Sequence, residues 1–155
     1  MKFKVLYFIS LLMLVTGVFW GTWFTLTRSL QSFPAEEFMH IGKVIIANVA
    51  LPMRILMPSC ILLMTLSLWF YPQKKSYGFY FNCSALVFIL ITLLITLLVL
   101  VPIDNQINLW TSATIPSDFE ETRTRWEYYH AIRTFTSLAS FGCFALSIHY
   151  PKQGL

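Results

Sequence analysis

Charged residues are scarce in this sequence of 155 residues. They make up 12% of the chain, against about a quarter in a typical soluble domain. Hydrophobic residues make up 57% and aromatic residues 17%. A soluble fold of this length could not cover so much apolar surface with so few charges. The composition therefore excludes a soluble enzyme, a secreted disulfide scaffold and a nucleic-acid-binding protein, although the isoelectric point is near 9.1.

Four stretches are long and apolar enough to cross a bilayer, which takes roughly 20 mainly apolar residues. They cover residues 5–26, 45–70, 81–101 and 128–150. We therefore predict an all-α fold, a four-helix transmembrane bundle in which residues 1–155 form a single integral membrane domain. Two longer outer loops, 31–43 and 103–125, each carry a proline followed by acidic residues, and both are expected to contain short helices.

The second outer loop has the stronger helix start. After Pro116, Ser117 is the predicted N-cap, with Glu120 three residues further on. This helix is expected to continue directly into the fourth span.

Two local patterns concern helix packing. Gly17 and Gly21 in the first span have the GxxxG spacing, which allows close helix contact either within the chain or in a homo-oligomer. In the second span, Pro52 and Pro58 each remove a backbone donor, so we expect this helix to be kinked.

Acidic residues are absent from one side of the predicted bundle. With four spans, both termini and the central turn share a side, and their charged residues are all lysines: Lys2, Lys4, Lys74, Lys75 and Lys152. All seven acids lie on the other side. Since lysine and arginine near span ends favour the cytoplasm, we predict that both termini are cytoplasmic and that the host membrane is the bacterial cytoplasmic membrane. The first span is expected to be retained rather than cleaved as a signal peptide.

The sequence also lacks a complete set of metal ligands and any cofactor-binding motif. The three cysteines have no CxxC spacing and are expected to pack in the spans. Glu37 with His40, and Glu127 with His130, each have the Glu-x-x-His spacing of di-iron bundles. Those centres need further glutamates from two other helices, and the second and third spans contain none. We therefore predict no metal site and, in the absence of a nucleotide motif, no cofactor.

Polar side chains converge in the outer half of the predicted bundle. Arg54 lies well inside the second span, and an intramembrane ionisable residue marks a functional site by default. In the fourth span, Trp126, His130 and Arg133 share one helix face. We predict one pocket near the outer leaflet, with His130, Arg133 and Arg54 as catalytic residues. The residues predicted to bind substrate are Asn48, Asn105, Asn108, Arg125, Trp126 and Glu127.

Each of these residues also has a structural interpretation. Arg133 could extend to the outer interface, and Arg54 could satisfy the carbonyls freed by the prolines. His130 alone could be a hydrogen-bonded core histidine, and the outer tryptophans could form an interfacial belt. The functional hypothesis depends on all of these residues lying together at the same depth in the outer half of the bundle.

Three pieces of the sequence carry a family resemblance. Residues 16–21 read TGVFWG, residues 48–58 read NVALPMRILMP, and VPIDNQIN at 101–108 combines with RWEYYHAIRT at 125–134. Together they resemble the anthrone oxygenase-like family of small four-span membrane proteins. The resemblance implies a four-span fold and, in the fungal polyketide-pathway members, oxygenase activity. The residues of this chain that match are Asn105, Asn108, Arg125, Trp126, His130 and Arg133.

The predicted pocket, taken together with the resemblance, suggests a mechanism. An anthrone-type substrate has an acidified methylene, and a single base that removes its proton leaves an enolate able to reduce oxygen without metal or flavin. In this interpretation His130 is the base. Glu127 would hold its tautomer. Arg54, Arg133 and the two amides at 105 and 108 would stabilise the oxyanion.

The sequence leaves two functions open. One is a cofactor-independent oxygenase, or related oxidoreductase, acting on a lipophilic phenolic or quinone-like substrate that enters from the lipid bilayer. The alternative is a non-catalytic membrane protein that binds a lipid, quinone or small anion, or supports a partner complex. A transporter is disfavoured because the inner half of the bundle offers no polar path.

Overall fold

The structure is a computed structural model that describes residues 2–150, with side chains from residue 11 onward. Over that range the chain is helical and contains no strand. The helices are α1, Lys2–Gly21; α2, Ala35–Trp69; α3, Tyr77–Ile95; α4, Val101–Leu109; and α5, Phe119–His149. The predicted all-α, four-helix transmembrane bundle is confirmed.

Wide helical turns link several of these helices. A π-helical turn, Thr22–Thr27, and a short 3-10 helix, Ser29–Ser32, follow α1. A second π-helical turn, Thr96–Leu100, joins α3 to α4, so the two form one continuous rod. The rods Ala35–Trp69, Tyr77–Leu109 and Phe119–His149 are each long and apolar enough to cross a membrane. Together with the apolar α1, they identify an integral membrane protein.

The helices expected in the outer loops are continuous with the spans. Helix α2 begins at Ala35, directly after Pro34, and runs without interruption to Trp69, so the expected loop helix is the outer end of α2. Gly42 lies inside this helix and packs against Ile107 of α4, where an added Cβ would lie 3.6 Å from Cγ2. Part of the second loop is α4 itself.

The fourth span also extends beyond its predicted start. Helix α5 begins at Phe119 and continues without a break through the fourth span, as expected. The prediction of Ser117 as N-cap is wrong: Asp118 occupies that position, and its side chain makes no capping hydrogen bond. The turn that precedes the helix is instead closed by the backbone N–H of Phe119, which donates to the carbonyl of Pro116 at 3.2 Å.

Two apolar clusters form the core. The inner cluster is contributed by α1, α2, α3 and α5 and contains Leu12, Val15, Phe19, Met57, Cys60, Met64, Ala85, Ile89 and Phe144. The outer cluster contains Leu30, Phe38, Met39, Ile45, Leu100, Ile103, Ile107, Trp110 and Trp126. The cysteine at position 60 therefore packs in the core, as expected, and all three cysteines are free.

The structure tests one of the two predictions made for the glycines and prolines of the spans. Cβ atoms added at Gly17 and Gly21 would meet no described atom within 4 Å, so the prediction of close packing within the chain is wrong for this GxxxG pair. Its use in a homo-oligomer remains a prediction. Helix α2 continues through Pro52 and Pro58, both exposed, and the kink there also remains a prediction.

Candidate active site

A buried histidine–arginine pair lies on the core-facing side of α5. The side chains of His130 and Arg133 are only 4% and 6% exposed. Nη2 of Arg133 lies 2.7 Å from Nδ1 of His130. Because a guanidinium can only donate hydrogen bonds, Nδ1 is the acceptor, and the neutral imidazole carries its hydrogen on Nε2.

Trp126 connects this pair to α4. Its indole is 1% exposed, and Nε1 donates to Oδ1 of Asp104 at 2.8 Å. Its ring meets the imidazole of His130 nearly edge-on, with centroids 4.4 Å apart, and meets Phe38 edge-on at 5.9 Å. Packing on both sides fixes the indole, so the carboxylate of Asp104 is held in a defined position relative to His130.

Arg133 is a buried cation that forms no ion pair with any carboxylate of the described residues. Its guanidinium carbon lies 4.3 Å from the centroid of the Phe19 ring, close enough for a cation–π interaction. Its Nε is buried and has no hydrogen-bond partner within the part of the chain that the structure describes. Among the described residues, the only ion pair joins Arg123 to Glu120, on the outer part of α5. A free donor therefore remains on a positive charge inside the bundle.

Hydroxyl groups attach α1 to α5 beside this pair. Oγ1 of Thr134 donates to the carbonyls of His130, at 2.8 Å, and Phe19, at 3.1 Å. One turn deeper, Thr16 donates to the carbonyl of Ser137 at 3.4 Å. These bonds hold the face of Phe19 against the guanidinium of Arg133.

A polar cap covers the outer end of the bundle. Arg123 donates to the carbonyl of Phe33 at 2.8 Å, and Lys43 donates to that of Trp110 at 2.6 Å. Ser112 donates to Glu36 at 2.5 Å. These three contacts hold the outer loops over the outer apolar cluster. Trp126, in that cluster, is thereby closed off from water on that side.

Of the predicted site residues, the structure brings Trp126, His130 and Arg133 together. It leaves five others exposed: Asn48, Arg54, Asn105, Asn108 and Arg125. Glu127 is half-buried, and its Oε2 accepts a hydrogen bond from Gln31 rather than from His130. The catalytic and binding roles of all these residues remain predictions.

The helical register explains this separation. Ile103 and Ile107 of α4 face the core, so Asn105 and Asn108 point away from it. On α2 the buried face below Ile45 carries Met57, Cys60 and Met64, and Arg54 lies outside it. Depth along a span was predicted from the sequence, whereas the direction in which each side chain points was not.

Sequence reasoning missed Asp104 and Phe19 as members of the site. In the sequence, Asp104 stands out only as one of the acids and polar residues at the outer end of the third span, and Phe19 only as part of a family motif. The available signal was weak: Asp104 is a single acid one turn beyond the uncharged third span, between the two core isoleucines of α4. No feature of the sequence indicated that Phe19 would face Arg133.

Two open apolar grooves flank α5. One, of about 370 Å³, lies between α1 and α5 and is lined by Met13, Thr16, Gly17, Trp20, Leu138 and Phe141. The other, of about 360 Å³, lies beside α3 and is lined by Phe88, Tyr128, Ala131, Ile132, Phe135, Thr136 and Ala139. The first groove lies along the same stretch of α1 as Phe19, but neither Phe19 nor the histidine–arginine pair lines it.

No metal-binding cluster of three or more His, Cys, Asp or Glu side chains is present among the described residues. The two Glu-x-x-His pairs do not face each other across a common centre. Glu37 and His40 are both exposed on the outer end of α2, and Glu127 is bonded to Gln31.

Comparison with known proteins gives one family match. The family model described as anthrone oxygenase matches residues 45–143. This stretch begins within α2 and ends within α5, and it includes Asp104, Trp126, His130 and Arg133. Neither a curated protein nor a solved structure matches the chain significantly.

Proposed function

The chain belongs to the anthrone oxygenase family, and from that premise we propose that it is a membrane oxidoreductase that oxygenates a lipophilic phenolic or quinone-like substrate. The observation that carries the proposal is the buried cation Arg133, whose Nε has no hydrogen-bond partner among the residues described. A positive charge in an apolar bundle is costly, and such residues are functional by default.

The chemistry requires an acceptor for one proton and donors for one developing negative charge. Loss of a proton from an anthrone-type methylene yields an enolate, which transfers electrons to oxygen and forms a carbon–oxygen bond. Loss of water from the resulting peroxide leaves a carbonyl. Each methylene thus consumes one O₂ and releases one water.

The enolate oxygen would be stabilised by Arg133 and His130. Arg133 offers Nε–H, and His130 offers Nε2–H because its Nδ1 is occupied by the guanidinium. A well-placed donor to a developing oxyanion contributes about 2.7–4 kcal/mol, or a factor of about 100–1000 in rate. The cation–π contact with Phe19 holds the guanidinium in place without neutralising it.

The substrate would enter from the lipid bilayer. The polar cap closes the outer end, whereas the groove between α1 and α5 is open at the side and lined mainly by apolar groups. A flat aromatic molecule partitions into lipid and could enter this groove without crossing water. We place the protein in a bacterial cytoplasmic membrane with both termini cytoplasmic, which puts the site near the outer leaflet.

The test is oxygen uptake by the purified protein with a panel of anthrones and hydroquinones. We expect one O₂ per oxidised methylene, and we expect uptake to persist in the presence of a chelator. Arg133→Gln should lower the rate about 100-fold. Arg28→Gln is the matched control, because Arg28 is exposed and stacks on Trp23 and Phe24 outside the site. Absence of uptake on every substrate, or dependence on one particular metal, would contradict the proposal.

One observation favours the alternative, a non-catalytic binding protein. Neither groove is lined by His130 or Arg133, and both of these side chains are buried. Quenching of Trp126 fluorescence by an added quinone, without oxygen uptake on any substrate, would support binding alone.

A further inference from the structure

The hydrogen bond between Arg133 and His130 determines what the histidine can do. Nδ1 of His130 accepts from Nη2 at 2.7 Å, which engages the only lone pair that a neutral imidazole offers in the ring plane. Taking up a proton at Nδ1 would break this bond and place a second positive charge beside Arg133, in a site where both side chains are buried. In this geometry His130 is a hydrogen-bond donor, and the proton acceptor has to be another group.

Asp104 is the carboxylate attached to this cluster. Its Oδ1 accepts from Nε1 of Trp126 at 2.8 Å, and Trp126 packs against His130. Oδ2 has no hydrogen-bond partner among the described residues, and Asp104 forms no ion pair there. The side chain is half-buried, so one oxygen is anchored and the other remains available.

Resting on the proposed function, we propose that Asp104 is the catalytic base of this site. The two tasks of the reaction then fall to different groups: proton acceptance to Asp104, and stabilisation of negative charge to His130 and Arg133. Separation of the acidic and basic tasks between groups in different surroundings is a general property of acid–base sites.

The reaction begins when Oδ2 of Asp104 takes a proton from the substrate methylene. The C–H electron pair enters the enolate, whose oxygen accepts hydrogen bonds from Arg133 and His130. The enolate carbon transfers electrons to O₂ and forms a C–O bond, which gives a peroxide anion, and the protonated Asp104 gives its proton to the outer peroxide oxygen. The restored carboxylate then removes the second methylene hydrogen as a proton. That C–H electron pair forms the C=O bond, the O–O bond breaks, and the hydroxide that leaves takes the proton from Asp104 and departs as water.

The decisive experiment compares two substrates. One is an ordinary anthrone, whose methylene must be deprotonated by the enzyme. The other is an anthrone with an electron-withdrawing substituent that ionises it fully at the assay pH. Asp104→Asn keeps an oxygen to accept from Trp126 but removes the base. It should lower oxygen uptake with the first substrate about 100- to 10,000-fold while keeping most of the rate with the second.

The controls separate this role from a structural one. Asp118→Asn makes the same chemical change at an exposed position with no side-chain capping bond, and it should leave both rates unchanged. Arg133→Gln should lower both rates, because the ionised substrate still needs its oxyanion stabilised. Near-ultraviolet circular dichroism reports whether each variant keeps the native tryptophan environment. If Asp104→Asn does not fold, Asp104→Glu replaces it and should retain a measurable rate with the ordinary anthrone.

The outcomes are distinguishable. If the wild type consumes no oxygen with either substrate, the proposed function fails and the assignment of Asp104 fails with it. If the wild type is active and folded Asp104→Asn is equally active, the function stands and Asp104 is not the base. Two further outcomes overturn the assignment, because the defect would then not be one of proton removal. One is a folded Asp104→Asn whose oxygen uptake falls equally with both substrates. The other is an Asp104→Glu that folds but consumes no oxygen.

Discussion

The hydrogen bond from Trp126 to Asp104 can be measured by a double-mutant cycle. Trp126→Phe removes the indole donor, and Asp104→Ala removes the acceptor. A hydrogen bond to a charged group contributes about 1.5–3 kcal/mol in soluble proteins, whereas side-chain bonds between membrane helices average about 0.6 and reach about 1.7 kcal/mol. Trp126 is 1% exposed, but Asp104 is only half-buried. We therefore expect a coupling energy of about 1–1.5 kcal/mol, near the top of the membrane range.

The assay is unfolding of the purified protein in mixed micelles, in which a denaturing detergent is titrated into a mild one and helix content is followed by circular dichroism. Each single variant also changes packing, but the cycle cancels those contributions. Trp126 with Asp118 is the control pair, since Asp118 lies at the exposed start of α5, and its coupling should be zero. A Trp126–Asp104 coupling below about 0.3 kcal/mol would be within the additivity error and would refute the claim that the indole holds this carboxylate.

Three further predictions concern the fold, the topology and the chemistry. Gly78→Ala would place a Cβ 2.7 and 2.9 Å from two backbone carbonyl oxygens at the end of α5, so it should lower the free energy of unfolding by about 1–3 kcal/mol in the same titration. The Cβ of Gly17→Ala would meet no described atom within 4 Å, so this change should raise the free energy of unfolding by up to about 1 kcal/mol. Equal effects of the two glycine substitutions would contradict the structure. Reporter fusions after Lys75 and after Trp110 should report opposite sides of the membrane, and a periplasmic signal after Lys75 would reverse the topology. Removal of metal by a chelator should leave oxygen uptake unchanged, and recovery on adding one specific metal would rule out the cofactor-independent reaction.

The spans could be predicted because their signal is averaged over many residues. Long apolar runs require helices in a bilayer, since every backbone polar group must be satisfied within its own segment. Their outer ends were less predictable. The second span was expected from residue 45 but begins at Ala35, because the polar residues between them lie on a helix that continues beyond the membrane. Hydropathy detects the membrane boundary, not the end of the helix.

The site was predictable only where a single helix contributes it. Trp126, His130 and Arg133 are spaced by four and three residues, and α5 does bury all three on one face. Arg54 and Asn48 were assigned to the same pocket from depth alone, and both are exposed. A span fixes how deep a residue lies, but the rotation of that span about its axis depends on which neighbours it packs against.

Composition and periodicity alone determined that this chain is a membrane bundle of four helices, and the local motifs indicated its family. Those properties depend on hydropathy summed over long segments or on contiguous residues, so they can be deduced without knowing how the helices pack. Only the tertiary structure decided that Asp104 accepts a hydrogen bond from Trp126 and that Phe19 packs on Arg133. The tertiary structure also decided that Nδ1 of His130 is an acceptor, which leaves Nε2 as the donor. These contacts join residues on different helices or depend on how one side chain orients another, and they form only when the helices settle at one rotation and one depth.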